Sequence, residues 1–275
     1  MRKKAGFGFH ILLFMFIFAV LFPFLWTFLA SIKSPSELFG ESAFRIIPQQ
    51  PTLDNYIYAF TAHPLARYIV NSLTVALLTT VYSLFVASFA AYAIARLHFY
   101  GKTLFLGLLL AVSMFPQIAT ISPIFLFMQS TGLRNTYLGL VIPHTTFALP
   151  LAIWYMTTFF KKIPVELEEA AKIDGATLMQ TFRKVILPLA VPGMFTTAII
   201  VFIDSWHEFL FSLTINTKQS MMTVPVGIAM FQGEYTFPWG EITAATVSVT
   251  VPIVILVLIF QKRIVSGLTS GAVKE

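Results

Sequence analysis

Six apolar stretches, each long enough to cross a bilayer, constrain this chain more than any other feature. They run over about residues 11–31, 69–94, 104–129, 138–160, 194–213 and 242–260. A helix needs roughly 20 apolar residues to span the hydrocarbon core. Charged residues make up 11% of the 275, hydrophobic residues 57%, and the mean hydropathy is +0.81. A soluble domain carries roughly a quarter charged residues, so this chain lacks the polar material to cover a water-facing globule. Lipid offers backbone groups no hydrogen-bond partners, and only helix bundles and closed barrels cross it. Barrel strands read as short alternating segments, whereas these blocks are long and continuous. The expected fold is therefore an all-α integral membrane bundle of about six transmembrane helices.

The charges lie between the spans and give the chain a direction. Arg2, Lys3 and Lys4 precede an apolar block, Phe7 to Ala30, that is followed by no small-x-small cleavage site. That block outruns a signal-peptide core of roughly 7–15 residues, so an uncleaved first helix is expected. With the N-terminus cytoplasmic, thirteen of the 18 Lys and Arg residues fall on that side, among them Arg96, Lys102, Lys161, Lys162 and Arg183. Lys33, Arg45, Arg67, Arg134 and Lys218 fall outside. The positive-inside rule then places both termini in the cytoplasm, and it accounts for the net charge of +6 without nucleic acid. Prolines at Pro23, Pro116, Pro123, Pro143, Pro150, Pro192 and Pro252 fall inside or at the ends of five of the six helices. Kinked helices suit a water-filled path, but proline is also common in transmembrane helices generally.

Enzyme chemistry is absent. Gly101-Lys102-Thr103 resembles the end of a phosphate-binding loop, but position 96, where the motif's first glycine belongs, is Arg. His10, His63, His98, His144 and His207 show no metal-ligand spacing, and the chain has no cysteine. No cofactor or metal site is expected. The organisation reads as an N-terminal helix with an external segment over 1–68, a five-helix core over 69–262, and a cytoplasmic tail over 263–275. Within the core lies a cytoplasmic loop at 161–188.

That loop reads as two short helices. Pro164 opens the first, and Glu166, Glu168 and Glu169 follow where the helix dipole favours anions. Ile163, Leu167, Ala170 and Ala171 form a narrow apolar stripe, partly of alanine, that suits close docking into a protein groove. Gly175 supplies a left-handed stop, and Thr177 with Gln180 forms a capping box that starts a second helix running to Pro188. A solvated loop with some helix is the plainer reading of these features.

Glu169-Ala170-Ala171, then Gly175, Val185 and Leu187-Pro188, resemble the signature loop of ABC-importer membrane subunits, with Val185 where that pattern has Ile. Ser205-Trp206-His207-Glu208-Phe209 is similar to a segment of carbohydrate permeases that has Asn where His207 stands. Gln232, Gly233, Glu234 and Tyr235, with Trp239-Gly240, resemble the last external loop of those permeases. The tail, including Gly267, Thr269 and Gly271, resembles that of the maltose-type second permease subunit.

The resemblance implies a type I importer permease fold in a bacterial or archaeal cytoplasmic membrane. It implies as partners a homologous second permease, two cytoplasmic ATPase subunits that hold the ATP and Mg, and an external sugar-binding protein. On this reading Glu169, Ala170, Ala171, Gly175, Leu187 and Pro188 couple to the ATPase. Gln232 to Tyr235 meet the binding protein, and Gly267, Thr269 and Gly271 touch the ATPase. The imported solute is an oligosaccharide or disaccharide. Permeases for other solutes and an ion-coupled secondary transporter are the alternatives.

Asp204 and Glu208 are the ionisable residues expected at membrane depth, with Asp204 about 18 Å beyond Pro192 along a helix. A carboxylate there faces the bundle interior or water. With Trp206 they are candidates for lining the substrate path; a structural partner for Asp204 such as His207 is the alternative.

Overall fold

The computed structural model describes the backbone of residues 7–233 and 237–269, and side chains over 8–233 and 237–261. The described residues form helices, turns and loops and contain no strand. The long helices are α1 (Phe7–Ser31), α3 (Leu65–Arg96), α6 (Tyr137–Lys162), α9 (Leu187–His207) and α12 (Trp239–Thr269). Between them lie α2 (Asp54–Thr61), α4 (Lys102–Ser113), α5 (Gln117–Ser130), α7 (Glu166–Ile173), α8 (Leu178–Thr181), α10 (Leu210–Ile215) and α11 (Val224–Ala229). Among the described residues, five helices are long and apolar enough to cross a membrane, or six if the bent pair α4 and α5 is one span.

Two of the expected spans need correcting. The stretch at 104–129 is not one straight helix: α4 and α5 meet at a 90° bend. Pro116 stands before α5 in extended conformation. It lacks the N–H that would continue α4, and its ring keeps Phe115 out of the helical region. At 12 residues, α4 is about 18 Å long, too short to span alone. The fifth stretch is also displaced. Its helix ends at His207 rather than 213, Glu208 is extended (φ −63°, ψ 130°), and α10 starts afresh at Leu210.

The second short helix of the cytoplasmic loop does not stop at Pro188. Leu178–His207 is a single 30-residue rod, because Phe182–Ile186 forms a π-helical turn in which the Leu187 N–H reaches back to the Phe182 carbonyl. Pro188 has no N–H for the Lys184 carbonyl, and the widened turn carries the chain past that gap. The remaining prolines Pro23, Pro123, Pro143, Pro150, Pro192 and Pro252 sit inside helices that continue through them.

The chain divides into two compact units, Met1–Ala66 with Gly227–Pro252, and Arg67–Val226 with Ile253–Glu275. In the first, Lys33 is buried and donates from Nζ to the carbonyls of Ala43 at 2.9 Å and Arg45 at 2.6 Å. Glu37 accepts the N–H groups of Gln49 and Gln50, and the Gln49 bond foremost holds its carboxyl below the usual range. These two side chains order the segment after α1. In the second unit, Ala87, Ala91 and Tyr92 of α3 pack with Ala148, Ala152 and Phe160 of α6 and with Phe182 and Ile186. Small side chains let helices approach closely where lipid supplies no hydrophobic drive. Gly193 extends this to α9, since a Cβ there would fall on the Phe159 ring.

Candidate functional site

The cytoplasmic loop is built from short-range signals. Glu166, Glu168 and Glu169 occupy the first turn of α7 and Lys172 its last, in the order that the helix dipole favours. Gly175 takes φ +79°, with nothing within 4 Å of where a Cβ would stand, so the glycine is there for its backbone alone. The Thr177 hydroxyl accepts from the Gln180 N–H at 3.3 Å, and the Gln180 side chain accepts from the Thr177 N–H at 2.8 Å. This completes the capping box that begins α8.

The faces of α7 are inverted from the usual amphipathic pattern. Glu168 and Ala171 are buried, while Leu167 is 40% exposed and Ile173 86%. Glu169, Ala170 and Gly175 are exposed, Leu187 is half-buried against the core, and Pro188 is exposed. The apolar stripe expected on one face is thus divided, with Ala171 turned into its own chain and Leu167 and Ala170 left open.

The residue that sequence reasoning missed in this loop is Glu168. Its carboxylate receives the Arg96 Nε–H and, at 3.1 Å, the Tyr92 hydroxyl, both from the last turns of α3. Arg96 also donates through Nη2 to the carbonyl of Ile163, the residue capping α6. One guanidinium therefore ties together α3, the end of α6 and the start of α7. A carboxylate in a loop otherwise rich in Glu carries no signal of this role, and its partners lie 72 and 76 residues away.

A second polar node lies where α9 ends. His144, buried on α6, meets the Ser205 hydroxyl at 2.8 Å through Nδ1 and the Glu208 carboxylate at 2.9 Å through Nε2. The Glu208 carboxylate also accepts the N–H groups of Phe211 and Ser212 and the Ser212 hydroxyl, at 2.7–3.1 Å. Its charge thus caps the first turn of α10. Asp204 is exposed on the last turn of α9, and Glu208 lies just past the helix end in extended conformation. Trp206 is buried and stacks on Phe202 at 6.0 Å. The histidine bonded to a carboxylate here is His144, not His207, which is exposed. An ionisable residue inside a predicted span requires a partner. That rule marks His144, but no spacing names Glu208.

Gln232 and Gly233 are exposed, while Glu234 and Tyr235 lie outside the described residues. Gly267 and Thr269 are in the last turns of α12, and Gly271 lies outside the described residues. No group of three or more His, Asp or Glu that could hold a metal occurs among the described residues.

Residues 83–270 match the family of binding-protein-dependent transport system inner membrane components. The trehalose transport system permease protein SugB of Mycobacterium tuberculosis is 46% identical over 256 residues, 92% of each chain. The trehalose/maltose transport system permease protein MalG of Thermococcus litoralis is 41% identical over 257 residues, 92% of this chain and 91% of its own. Among solved structures, a chain of a bacterial ABC transporter involved in the import of the acidic polysaccharide alginate superposes with a TM-score of 0.80. The identity is 22%, with 95% of this chain and 99% of that chain covered.

Proposed function

The chain belongs to the binding-protein-dependent transport system inner membrane components, and on that premise we propose that it forms half of the path of an ATP-driven sugar importer. Family membership sets aside the ion-coupled secondary transporter. The sugar class, an oligosaccharide or disaccharide, rests on relatives that carry trehalose and maltose. The energy enters through partners: two cytoplasmic ATPase subunits that bind ATP and Mg, a homologous second permease, and an external sugar-binding protein. The membrane is a bacterial or archaeal cytoplasmic membrane, with both termini and the 161–188 loop on its cytoplasmic side, as the basic residues favour.

One observation carries the coupling role. On α7 the apolar Leu167 and Ile173 and the small Ala170 are exposed while an acidic side chain is buried. That inversion suits a helix whose open face is completed by another protein. Ala170 permits close approach, and Gly175 sets the elbow that aims α8 and the rod continuing into α9. Of the path candidates, Trp206 is packed inside the chain and Glu208 is engaged by His144, which leaves Asp204 as the carboxylate free to face substrate or water.

The test is co-purification of the ATPase with Ala170→Trp and Gly175→Val variants. Hydrolysis is then measured with and without binding protein and sugar. Ala171, being buried, would test packing instead. Both variants should insert and fold, since both sites are exposed and Gly175→Val strains only the local elbow. ATPase association or sugar-stimulated hydrolysis should fall at least tenfold. Full association and stimulation in both would overturn the coupling role of this loop.

A further inference from the structure

We infer that Arg96 and Glu168 are positioning residues that relay movement of the coupling helix into α3 and α6, in parallel with the direct route along α8 and α9. The inference rests on the coupling role proposed for the loop. The continuous rod Leu178–His207 gives that loop an evident lever on one span. Nothing covalent gives it a comparable lever on α3, which ends at Arg96, 70 residues before α7 begins at Glu166.

The geometry supplies that second lever. Glu168 is the third residue of α7, and its side chain is 6% exposed; the Arg96 side chain is 10% exposed. A buried ion pair of this kind holds tightly to its geometry, because separating the charges would leave each uncompensated in a poorly solvated site. The guanidinium spreads its donors over two elements, Nε to the Glu168 carboxylate and Nη2 to the Ile163 carbonyl. Tyr92, one turn earlier on α3, bonds the same carboxylate, so the acid is gripped from two turns of one helix. A push on α7 cannot move Glu168 without moving the end of α3, and Arg96 carries the cap of α6 with it. Lysine could not replace this arrangement. Its ammonium is a single point on a flexible stem and lacks the planar fork that reaches both acceptors.

Docking on the ATPase does not require the pair, since the exposed residues of α7 face the other way. The inference therefore separates association from stimulation. The experiment purifies the complete importer in lipid nanodiscs with Arg96→Lys, Glu168→Gln and Tyr92→Phe. It measures the ATPase bound per permease, hydrolysis with and without binding protein and sugar, and uptake in proteoliposomes. Arg96→Lys and Glu168→Gln should keep the ATPase bound, while the ratio of stimulated to basal hydrolysis falls about fivefold or more and uptake falls with it. Tyr92→Phe, which removes one hydroxyl, should give about a twofold loss.

A parental ratio with the ATPase bound would overturn the relay and leave the docking reading standing. Loss of the ATPase in Glu168→Gln would also overturn it, since the pair would then serve docking itself. If either charge variant fails to assemble, Tyr92→Phe decides by the same ratio. Failure of the docking reading shows separately, as full association and stimulation in Ala170→Trp and Gly175→Val.

Discussion

The elbow and cap at residues 175–180 of the cytoplasmic loop and the polar node at the end of α9 both serve helix termini, yet they are assembled on opposite principles. In the loop, the elbow at Gly175 and the capping box from Thr177 to Gln180 are closed within a few residues. At the node, His144 meets Ser205 and Glu208 across 61 and 64 residues. Thr177 and Gln180 are exposed, so water can satisfy the polar groups of the elbow and cap and their folding rests on local backbone preference, whereas Glu168 of the same loop is buried and held by Arg96 across 72 residues. At the node the His144 and Glu208 side chains are 2% and 10% exposed, so an unpaired carboxylate or imidazole would have little solvent to fall back on. Local signals thus shape the exposed elbow and cap, while hydrogen bonds between distant helices hold the polar groups that are buried, Glu168 as well as His144.

Removing the imidazole should break that contrast most sharply. His144→Ala leaves the Glu208 carboxylate, whose side chain is 10% exposed, without its buried ring partner. Losing a hydrogen bond to a charged group costs about 1.5–3 kcal/mol. The thermal transition of the detergent-solubilised complex should fall by several degrees, with less complex recovered; an unchanged transition would show that the node is not structural. Thr177→Ala should cost less, about 1 kcal/mol, the usual loss for an N-cap side chain. The damage should stay local, as faster amide exchange over 176–182 and a few-fold weaker ATPase association, with the global transition unmoved. A global shift equal to that of His144→Ala would erase the distinction between the regions.

The smallest change in stability is expected at Asp204. It stands four residues before Glu208 but is exposed, so Asp204→Leu should alter the thermal transition by no more than about 0.5 kcal/mol. Sugar uptake at saturating binding protein should nevertheless drop. Normal uptake kinetics in a well-assembled variant would remove Asp204 from the path.

The helical class, the long apolar stretches, the elbow at Gly175 and the capping box at Thr177 were all determined by the sequence on its own, though not where two of those stretches bend or end. Each depends on composition over a span-length window or on residues within one turn of each other, and tertiary contacts had no cause to override them. Proline was legible as a breaker but not selectively. Pro116 ends a helix and opens a 90° bend, whereas Pro143, Pro150 and Pro192 are absorbed. A helix continues past a proline only if the freed carbonyl is accommodated, as the π-turn at Phe182–Ile186 accommodates the gap before Pro188. The tertiary structure alone decided that α9 stops at His207, that Glu208 belongs to His144, that Ala171 faces inward and that Glu168 is held by Arg96. For the two carboxylates the partner lies on another helix, and a buried charge takes whichever donor the packing brings to it. The sequence can require that such a partner exist, because an unpaired charge there is too costly, but only the packed helices choose which residue it is.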